Sequence, residues 1–569
     1  MMGGYCLDLD KIIAIISMET GLPGLPLSGG GLGWLMGDIL RSMADKGRRA
    51  YNYSLLYSMG NFRQEIVDGR QRVFYENYNP KKDMELLDTL ISVPIEDRNV
   101  DVRAWMYKIK GNAWSSIPLF FLDTTSDKNR PWDKDITKSL YMEAPNDNRY
   151  WRIAQEEILG IGSVRMMHEL NKRYGDKFPL PEVYHLNEGH GAFAAIELIK
   201  IYGEKEARDK IVFFSHTPIE AGHDRFNFEK IRMMLGKYLE GIDIRRLAGY
   251  DDFNMTRLAV NMSRSVSGVS EMHAEVCRDM EVFKGVDVGS VTNGVHPFTW
   301  IAPEFQSLFD KYIPGWRGNP SKLAGVEIIP DSELLSAHFT LKKRLVEFVN
   351  QKNKIGKIKF DPNILTIGFA RRFVDYKRAD LILEDIRKLH EAYEGPIQIL
   401  FAGKAHPLDW RGNQILENIV KFVCESDNNV RGAFIEDYDY DTAFRMVSGS
   451  DFWLNTPRRP YEASGTSGMK AALNGVPSFS TIDGWVYEAP IINGKRRGMI
   501  SIGVEPDRIT RYQFDDFNDA QDLRRQMKDE VKKVYESPSA YVKLMKEAII
   551  NGSFFNTHRV VDDLFEKIY

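Results

Sequence analysis

A lysine set among small and apolar neighbours is the side chain in this sequence most open to covalent chemistry. Lys470 lies in NTPRRPYEASGTSGMKAALNG (455–475), behind Met469 and ahead of Ala471, Ala472 and Leu473. An ammonium in such a setting loses charge, and the free amine can form a Schiff base with an aldehyde. The loop before it carries Glu462, Ser464, Gly465, Thr466, Ser467 and Gly468. Small residues that open a helix expose backbone N–H groups, which makes an anion cradle. The plainer reading of Lys470 is a surface lysine.

Five other segments carry candidate chemistry. FARRFVDYKR (369–378) follows an apolar run and gathers Arg371, Arg372, Lys377 and Arg378, enough charge for one or two phosphate groups. Its plainer reading is a solvated helix start. LSGGGLGWLMGD (27–38) puts glycines 29, 30, 31 and 33 before a helical pattern, where N–H groups can approach an anion. It is not a dinucleotide fingerprint, because Met36 stands where a third glycine is needed, and no Gly-Lys-Ser/Thr of a P-loop follows. A tight turn is its plainer reading. HLNEGH (185–190) and FSHTP (214–218) place histidines after apolar runs. His185 and His190, five apart around Glu188, miss the i, i+4 spacing of a helical zinc pair, so no metal site is expected. His216 is suited to polarise a substrate carbonyl or hydroxyl, or else is a hydrogen-bonded structural histidine. PNDNRYW (145–151) carries Asp147 and Asn148 before a helix, where an ordinary cap also fits.

The elements that must position these residues are short apolar runs alternating with helical patterns. The runs are IIAIIS (12–17), VYHLN (183–187), IVFFSHTP (211–218), ILTIGFA (364–370), IQILFAG (397–403), FIED (434–437), DFWLN (451–455) and PSFSTID (477–483). Continuous β-branched runs predict strands buried on both faces of parallel sheets. Helices are predicted over 152–173 and 255–280, giving a doubly wound α/β architecture. A turn-rich and polar stretch over 300–360 marks a junction between two lobes, placed between about 295 and 335. The tail FNTHRVVDDLFEKIY carries an apolar stripe, Val560, Val561, Leu564 and Phe565, and is read as a helix that packs on the rest. Ligands of such sheets sit at the carboxyl ends of the strands, so residues just after strands are the ones to watch.

Composition narrows the function classes. The 569 residues hold 76 Lys plus Arg and 80 Asp plus Glu, a net charge of −4, which removes the electrostatic case for general nucleic-acid binding. The 43% hydrophobic and 27% charged content is that of a soluble globular chain. Cys6, Cys277 and Cys424 are too few and scattered for a disulfide framework or a thiolate metal site. No signal peptide or membrane span is read, which gives a soluble enzyme of a reducing, cytoplasmic compartment.

Taken in order, these segments resemble the glycogen and starch (α-glucan) phosphorylase family from about Ile12 to Glu488. EASGTSGMKAALNG resembles its pyridoxal phosphate loop and FARRFVDYKR its phosphate loop, while GGGLGWLMGD, HLNEGH, SHTP, TNGVHPFTW and EDYDYD fall in the family's order. TSGMKAALNG and AGHDRF are more similar to the shorter bacterial and archaeal members. The resemblance implies two Rossmann-like doubly wound lobes facing a central crevice, the GT-B type of glycosyltransferase fold. Residues 1–300 would form the glycine-loop and glucan lobe, 301–553 the cofactor and phosphate lobe, and 554–569 a helix packing back. It implies pyridoxal 5′-phosphate held by Lys470 as a Schiff base. Arg371, Lys377, Gly465, Thr466 and Ser467 would surround the cofactor phosphate, with Tyr438 near its ring. Arg372, Lys377, Gly30 and Gly31 would bind inorganic phosphate. Glu462, Ser464, Asn293, Tyr376 and His216 would hold the glucose unit, with Asp147, Asn148, Glu19 and Glu188 around the site. Arg372, Lys377, His216 and Lys470 are the expected catalytic set.

The implied reaction is retaining phosphorolysis of an α-1,4-glucan (glycogen, starch or maltodextrin) to α-D-glucose 1-phosphate. A cluster of cations and anion cradles suits two phosphates that share a proton. A homodimer is the family's assembly. The chain begins almost at its first strand, so no amino-terminal phosphorylation switch is expected, and DGWVYEAP (483–490) departs from the animal enzymes. Two alternatives stay open: a retaining nucleotide-sugar glycosyltransferase of the same fold, which has no need of Lys470, and a non-catalytic glucan-binding protein.

Overall fold

The computed structural model describes residues 11–112, 115–142, 149–506, 512 and 515–569. Two large sheets organise it. Nine strands form the first: β1 (Ile13–Ser17), β2 (Ala50–Leu55), β3 (Glu85–Ile95), β4 (Arg98–Lys110), β5 (Ser116–Asp123), β6 (Val183–Asn187), β7 (Ile211–Phe214), β8 (Ser265–Gly268) and β9 (Val288–Ser290), in the order β9-β8-β7-β6-β1-β2-β5-β4-β3. Six form the second: β10 (Leu365–Ala370), β11 (Ile397–Ala402), β12 (Val430–Ile435), β13 (Phe452–Asn455), β14 (Ser478–Thr481) and β15 (Met499–Ile502), in the order β12-β11-β10-β13-β14-β15. β1 runs parallel to β2 and β6, and β10 runs parallel to β11 and β13. In each sheet the chain therefore starts centrally, winds one way, then reverses. That reversal is a topological switch point, where ligands of such sheets bind.

The apolar runs form strands because both faces are covered. Every residue of β1, β6, β7, β10 and β11 is buried. β3 and β4 behave differently. They pair antiparallel at the edge and alternate exposed with buried positions, a period-2 pattern that a search for continuous apolar runs passes over. The predicted helix 255–280 is two helices, Met255–Asn261 and Glu271–Asp279, with β8 between them. Ser270 starts the second helix by accepting the His273 N–H, so the serines and glycine of SRSVSGVS make a strand and a cap. The turn-rich stretch past 300 holds helices Pro303–Tyr312 and Asp331–Lys352.

Two hydrophobic cores divide the chain. The first spans Ile12 to Val291 and takes in Val560, Val561, Leu564 and Tyr569 from the tail; the second spans Val295 to Phe555. The tail forms the helix Thr557–Lys567. Contacts tie the two together: the hairpin Arg63–Val67/Arg70–Phe74 reaches across, with Gln64 Nε2 donating to the Gly403 carbonyl at 2.9 Å, and Ser270 Oγ donates to the Ala463 carbonyl at 2.6 Å. Among the described residues no helix is long and apolar enough to cross a membrane.

Candidate active site

The expected site residues fall just after the parallel strands of the two sheets. Glu19 follows β1, Glu188 follows β6, His216 follows β7 and Asn293 follows β9; Arg371 follows β10, Tyr438 follows β12 and Glu462 follows β13.

The cationic cluster is centred on one carboxylate. Glu462 Oε2 accepts from Arg371 Nη2 at 2.7 Å and from Lys377 Nζ at 2.7 Å. Burial opposes a charge on Glu462, but the two cations outweigh it and pull the carboxyl down to about 2. Lys377, stripped of water and beside Arg371, falls to about 7. Arg371 also donates to the Asn455 carboxamide, while its buried Nε has no acceptor among the described residues. Arg371 bears electrostatically on Tyr438, whose phenol burial pushes up. Arg372 is exposed, and its charge acts on Tyr376 and Lys377. Arg378, the fourth base of the segment, turns away: it donates to the Thr456 carbonyl at 2.8 Å and pairs with Asp519 at 2.8 Å.

Five residues after Glu462 the chain enters the helix Ser467–Ala472. Gly465 has φ +73°, a turn that L side chains resist, and Gly484, also left-handed, leaves no room for a Cβ against the Ser464 carbonyl. Asp483 fixes the loop by accepting the Glu462 N–H at 2.8 Å. Ser464 Oγ donates to the Gly465 carbonyl, and Ser467 Oγ accepts the Trp453 indole N–H at 3.0 Å. Thr466 precedes the helix as its cap. Lys470 is 8% exposed, with Nζ 3.8 Å from the centroid of the Trp300 ring. Burial lowers its ammonium to about 8, leaving a useful fraction of free amine near neutrality.

The glycine segment forms the helix Gly31–Asp45 with Gly30 as its cap. A Cβ on Gly30 or Gly31 would meet nothing within 4 Å. Glu19 lies beneath this turn: its Oε2 accepts the Gly29 N–H at 2.7 Å, the Gly30 N–H at 3.2 Å and the Ser28 hydroxyl at 2.9 Å, and its Oε1 accepts the Tyr141 hydroxyl. The Gly29 and Gly30 amides are thus satisfied within the protein. Trp34 of this helix stacks on Tyr440 and meets Trp300 edge-on, so the glycine helix and Lys470 share an aromatic floor.

His216 is held by two neighbours. Its main-chain N–H donates to Glu188 Oε2 at 2.8 Å, and its ring Nε2 lies 2.8 Å from Asn187 Oδ1. Asn187 Nδ2 donates to Ser17 Oγ, so Oδ1 is the acceptor; His216 then carries its proton on Nε2 and offers Nδ1 as an acceptor. Burial lowers the imidazole to about 3, which keeps it neutral. Asn293 is buried, its carbonyl accepting from Arg559 at 3.0 Å. Asp147 and Asn148 lie outside the described residues. An open surface cleft of about 590 Å3, lined by Asp380, Leu383, Arg387, His390 and Lys421, contains none of these residues.

Asp38, Trp300, Asn187 and Asp483 were not singled out in the sequence. Asp38 had a signal, since it stands seven residues after Gly31 and so on the same helix face. Trp300 closes TNGVHPFTW, but nothing local says what its indole faces.

The arrangement suits a ligand with an aldehyde and a phosphate. The amine is buried and partly deprotonated, and the adjoining loop is bound to a cluster with more positive than negative charge. Fold and side chains thus define an α/β protein with a buried, lowered lysine on the helix that follows a cation-bound loop. A family profile for carbohydrate phosphorylases matches residues 229–536. The chain is 38% identical to the maltodextrin phosphorylase of Thermococcus litoralis, over 98% of this chain and 70% of that protein. It is 31% identical to the glycogen phosphorylase of Aquifex aeolicus, over 98% and 86%, and 34% identical to that of Mycobacterium tuberculosis, over 83% and 60%. The chain belongs to the carbohydrate phosphorylase family.

Proposed function

We propose that this protein is a pyridoxal-phosphate-dependent phosphorylase that cleaves α-1,4-glucan with inorganic phosphate and releases α-D-glucose 1-phosphate with retained configuration. The observation that carries the reading is Lys470, a buried amine lowered to about 8, on the helix that continues the loop bound to Arg371 and Lys377. The two sheets, with their separate cores and shared winding order, support two Rossmann-like lobes of GT-B type, with residues 1–300 and 301–553 as the lobes and 554–569 crossing back. A homodimer and a cytoplasmic setting belong to the same reading and rest on the family resemblance.

Pyridoxal phosphate, when bound, supplies a second phosphate group that exchanges a proton with the substrate phosphate. Lys470 would hold it covalently, Tyr438 would lie at its ring, and Arg371, Lys377, Gly465, Thr466 and Ser467 would hold its phosphate. Arg372, Lys377 and the turn at Gly31 would bind inorganic phosphate, the Gly30 N–H being taken by Glu19. Lys377, at about 7, can keep or release a proton near neutrality, while Arg371 stays cationic. His216 Nδ1 would accept a sugar hydroxyl, in the tautomer that its Asn187 contact selects. Glu462, Ser464, Asn293 and Tyr376 would grip the glucose unit, with Glu462 also holding the two cations apart from water. Glu19 and Glu188 act by shaping the glycine turn and the His216 loop.

The test is borohydride reduction of the purified protein, followed by peptide mass mapping. A phosphopyridoxyl adduct on Lys470 is expected, and Lys470→Ala should lose phosphate-dependent glucan cleavage by at least a thousandfold, on the order of a removed nucleophile. An unmodified Lys470 after incubation with excess cofactor would overturn the reading and direct the next assay to nucleotide sugars.

A further inference from the structure

One carboxylate from the glycine helix reaches the surroundings of Lys470. Asp38 is 2% exposed, and its Oδ2 accepts the Trp300 indole N–H at 2.8 Å. The face of the same indole carries Lys470 Nζ, 3.8 Å from the ring centroid. Acid and amine therefore share one tryptophan, one at its edge and the other on its face. Among the described residues Asp38 is the charge that bears on Lys470. Other groups face the pair from neighbouring elements. His296 acts on Asp38 and is itself held by Asp45; Tyr440 packs on Trp300 and feels both Asp38 and Arg41.

We propose that Asp38 is a positioning residue for the reactive amine, holding the proton on the Lys470 nitrogen across Trp300 both in the free lysine and in its linkage to a pyridoxal aldehyde. The second half rests on the function proposed above; the first does not. Burial strips both groups of water, which disfavours both charges. Each then makes the other's charge tolerable: Lys470 draws the Asp38 carboxyl down, and Asp38 draws the Lys470 ammonium up. Trp300 keeps them in one place without a direct contact, because its N–H orients the carboxylate while its electron-rich face accepts the ammonium. Asp38 belongs to an element of the first core and Lys470 to one of the second, so the charge balance of the amine depends on the two cores being docked.

The experiment is competitive acetylation of cofactor-free protein with acetic anhydride from pH 6 to 10, with modification at Lys470 read by peptide mass. Asp38→Asn, which keeps an acceptor for the indole N–H, should lower the Lys470 midpoint by about one pH unit, a roughly tenfold change in proton affinity. Asp38→Glu should recover most of the shift. An unchanged midpoint in Asp38→Asn would overturn the proposal. If that variant does not fold, Lys470→Met supplies the reciprocal measurement. The Asp38 carboxyl, followed by infrared difference titration, should then move up by about one unit, and a fixed carboxyl would overturn the proposal equally. In loaded protein the visible absorbance of the lysine linkage should titrate about one unit lower in Asp38→Asn. Failure of wild-type protein to take up cofactor would count against the proposed function, while the acetylation result would still decide the role of Asp38.

Discussion

Glu462 holds two cations on a single carboxylate oxygen, and that arrangement is costly to break because all three groups are shielded from water. Glu462→Gln should destabilise the protein by about 3 kcal/mol in phosphate-free buffer, since Arg371 and Lys377 would face each other without a buried counter-charge. Denaturant unfolding with and without inorganic phosphate checks this, and added phosphate should return more stability to the variant than to the parent. Equal phosphate effects in both proteins would show that the cluster does not take up the anion. The acid side follows from the same pair. The Glu462 carboxyl is depressed to about 2 in the folded state, so its contribution is complete above its unfolded value near 4.5 and is lost as pH falls through about 2.

The glycine helix is the element on which both halves of the site depend. It presents the turn at Gly30 and Gly31, sends Trp34 to the aromatic floor and carries Asp38 to Trp300. Its seating is fixed by backbone proximity. A Cβ on Gly37 would stand 1.8 Å from the Gly21 carbonyl oxygen, and Gly21 N–H in turn donates to the Gly33 carbonyl at 2.8 Å. Gly37→Ala should therefore cost about 3 kcal/mol or more and tilt the helix, whereas Gly31→Ala, with nothing within 4 Å, should change stability by less than about 1 kcal/mol. Parallel denaturant curves test the contrast. Matching losses in the two variants would mean that helix propensity, and not the close approach, governs the element.

At the scale of the whole molecule, buried histidines gather mainly in the part of the chain that forms the first core. His185 and His216 are lowered by burial to about 3, and His190, His223 and His273 to about 4; all five lie in the part of the chain that forms the first core. Below about pH 6.5 the unfolded chain binds protons that these folded histidines do not, so stability falls with pH from about 6.5 toward 4. Each histidine steepens the decline by up to about 1.4 kcal/mol per pH unit. The second core's part of the chain adds His296, lowered by burial in the same way, and Asp451, lowered by Lys342 and His338 against the pull of burial, whose contribution persists until stronger acid. Calorimetry at pH 7.5, 6.5 and 5.5 should show the unfolding temperature falling, with uptake of several protons on unfolding. A temperature that stays level over that range would contradict the neutral, buried histidines.

The sequence by itself determined many of the buried strands and the residues at their ends. Runs such as ILTIGFA and VYHLN are apolar throughout, and both faces of those strands prove covered, so composition and position suffice. The lysine loop, the basic segment after β10 and the tail helix were legible for the same local reason. Strands β2, β3, β4, β5, β8, β9 and β15 were not: an edge strand alternates, a short strand framed by serine and glycine resembles a break in a helix, and runs of three to eight residues broken by polar residues or proline give no continuous apolar signal. Only the tertiary structure decided which charges meet. Nothing in FARRFVDYKR says that Arg371 and Lys377 turn to Glu462 while Arg378 turns to Asp519. Nothing in the neighbours of Lys470 says that its companion charge is Asp38, 432 residues earlier, on the far edge of Trp300. Periodicity and local chemistry are short-ranged, whereas the proton affinity of a buried amine is set by whatever charge the fold brings across several ångströms of low dielectric.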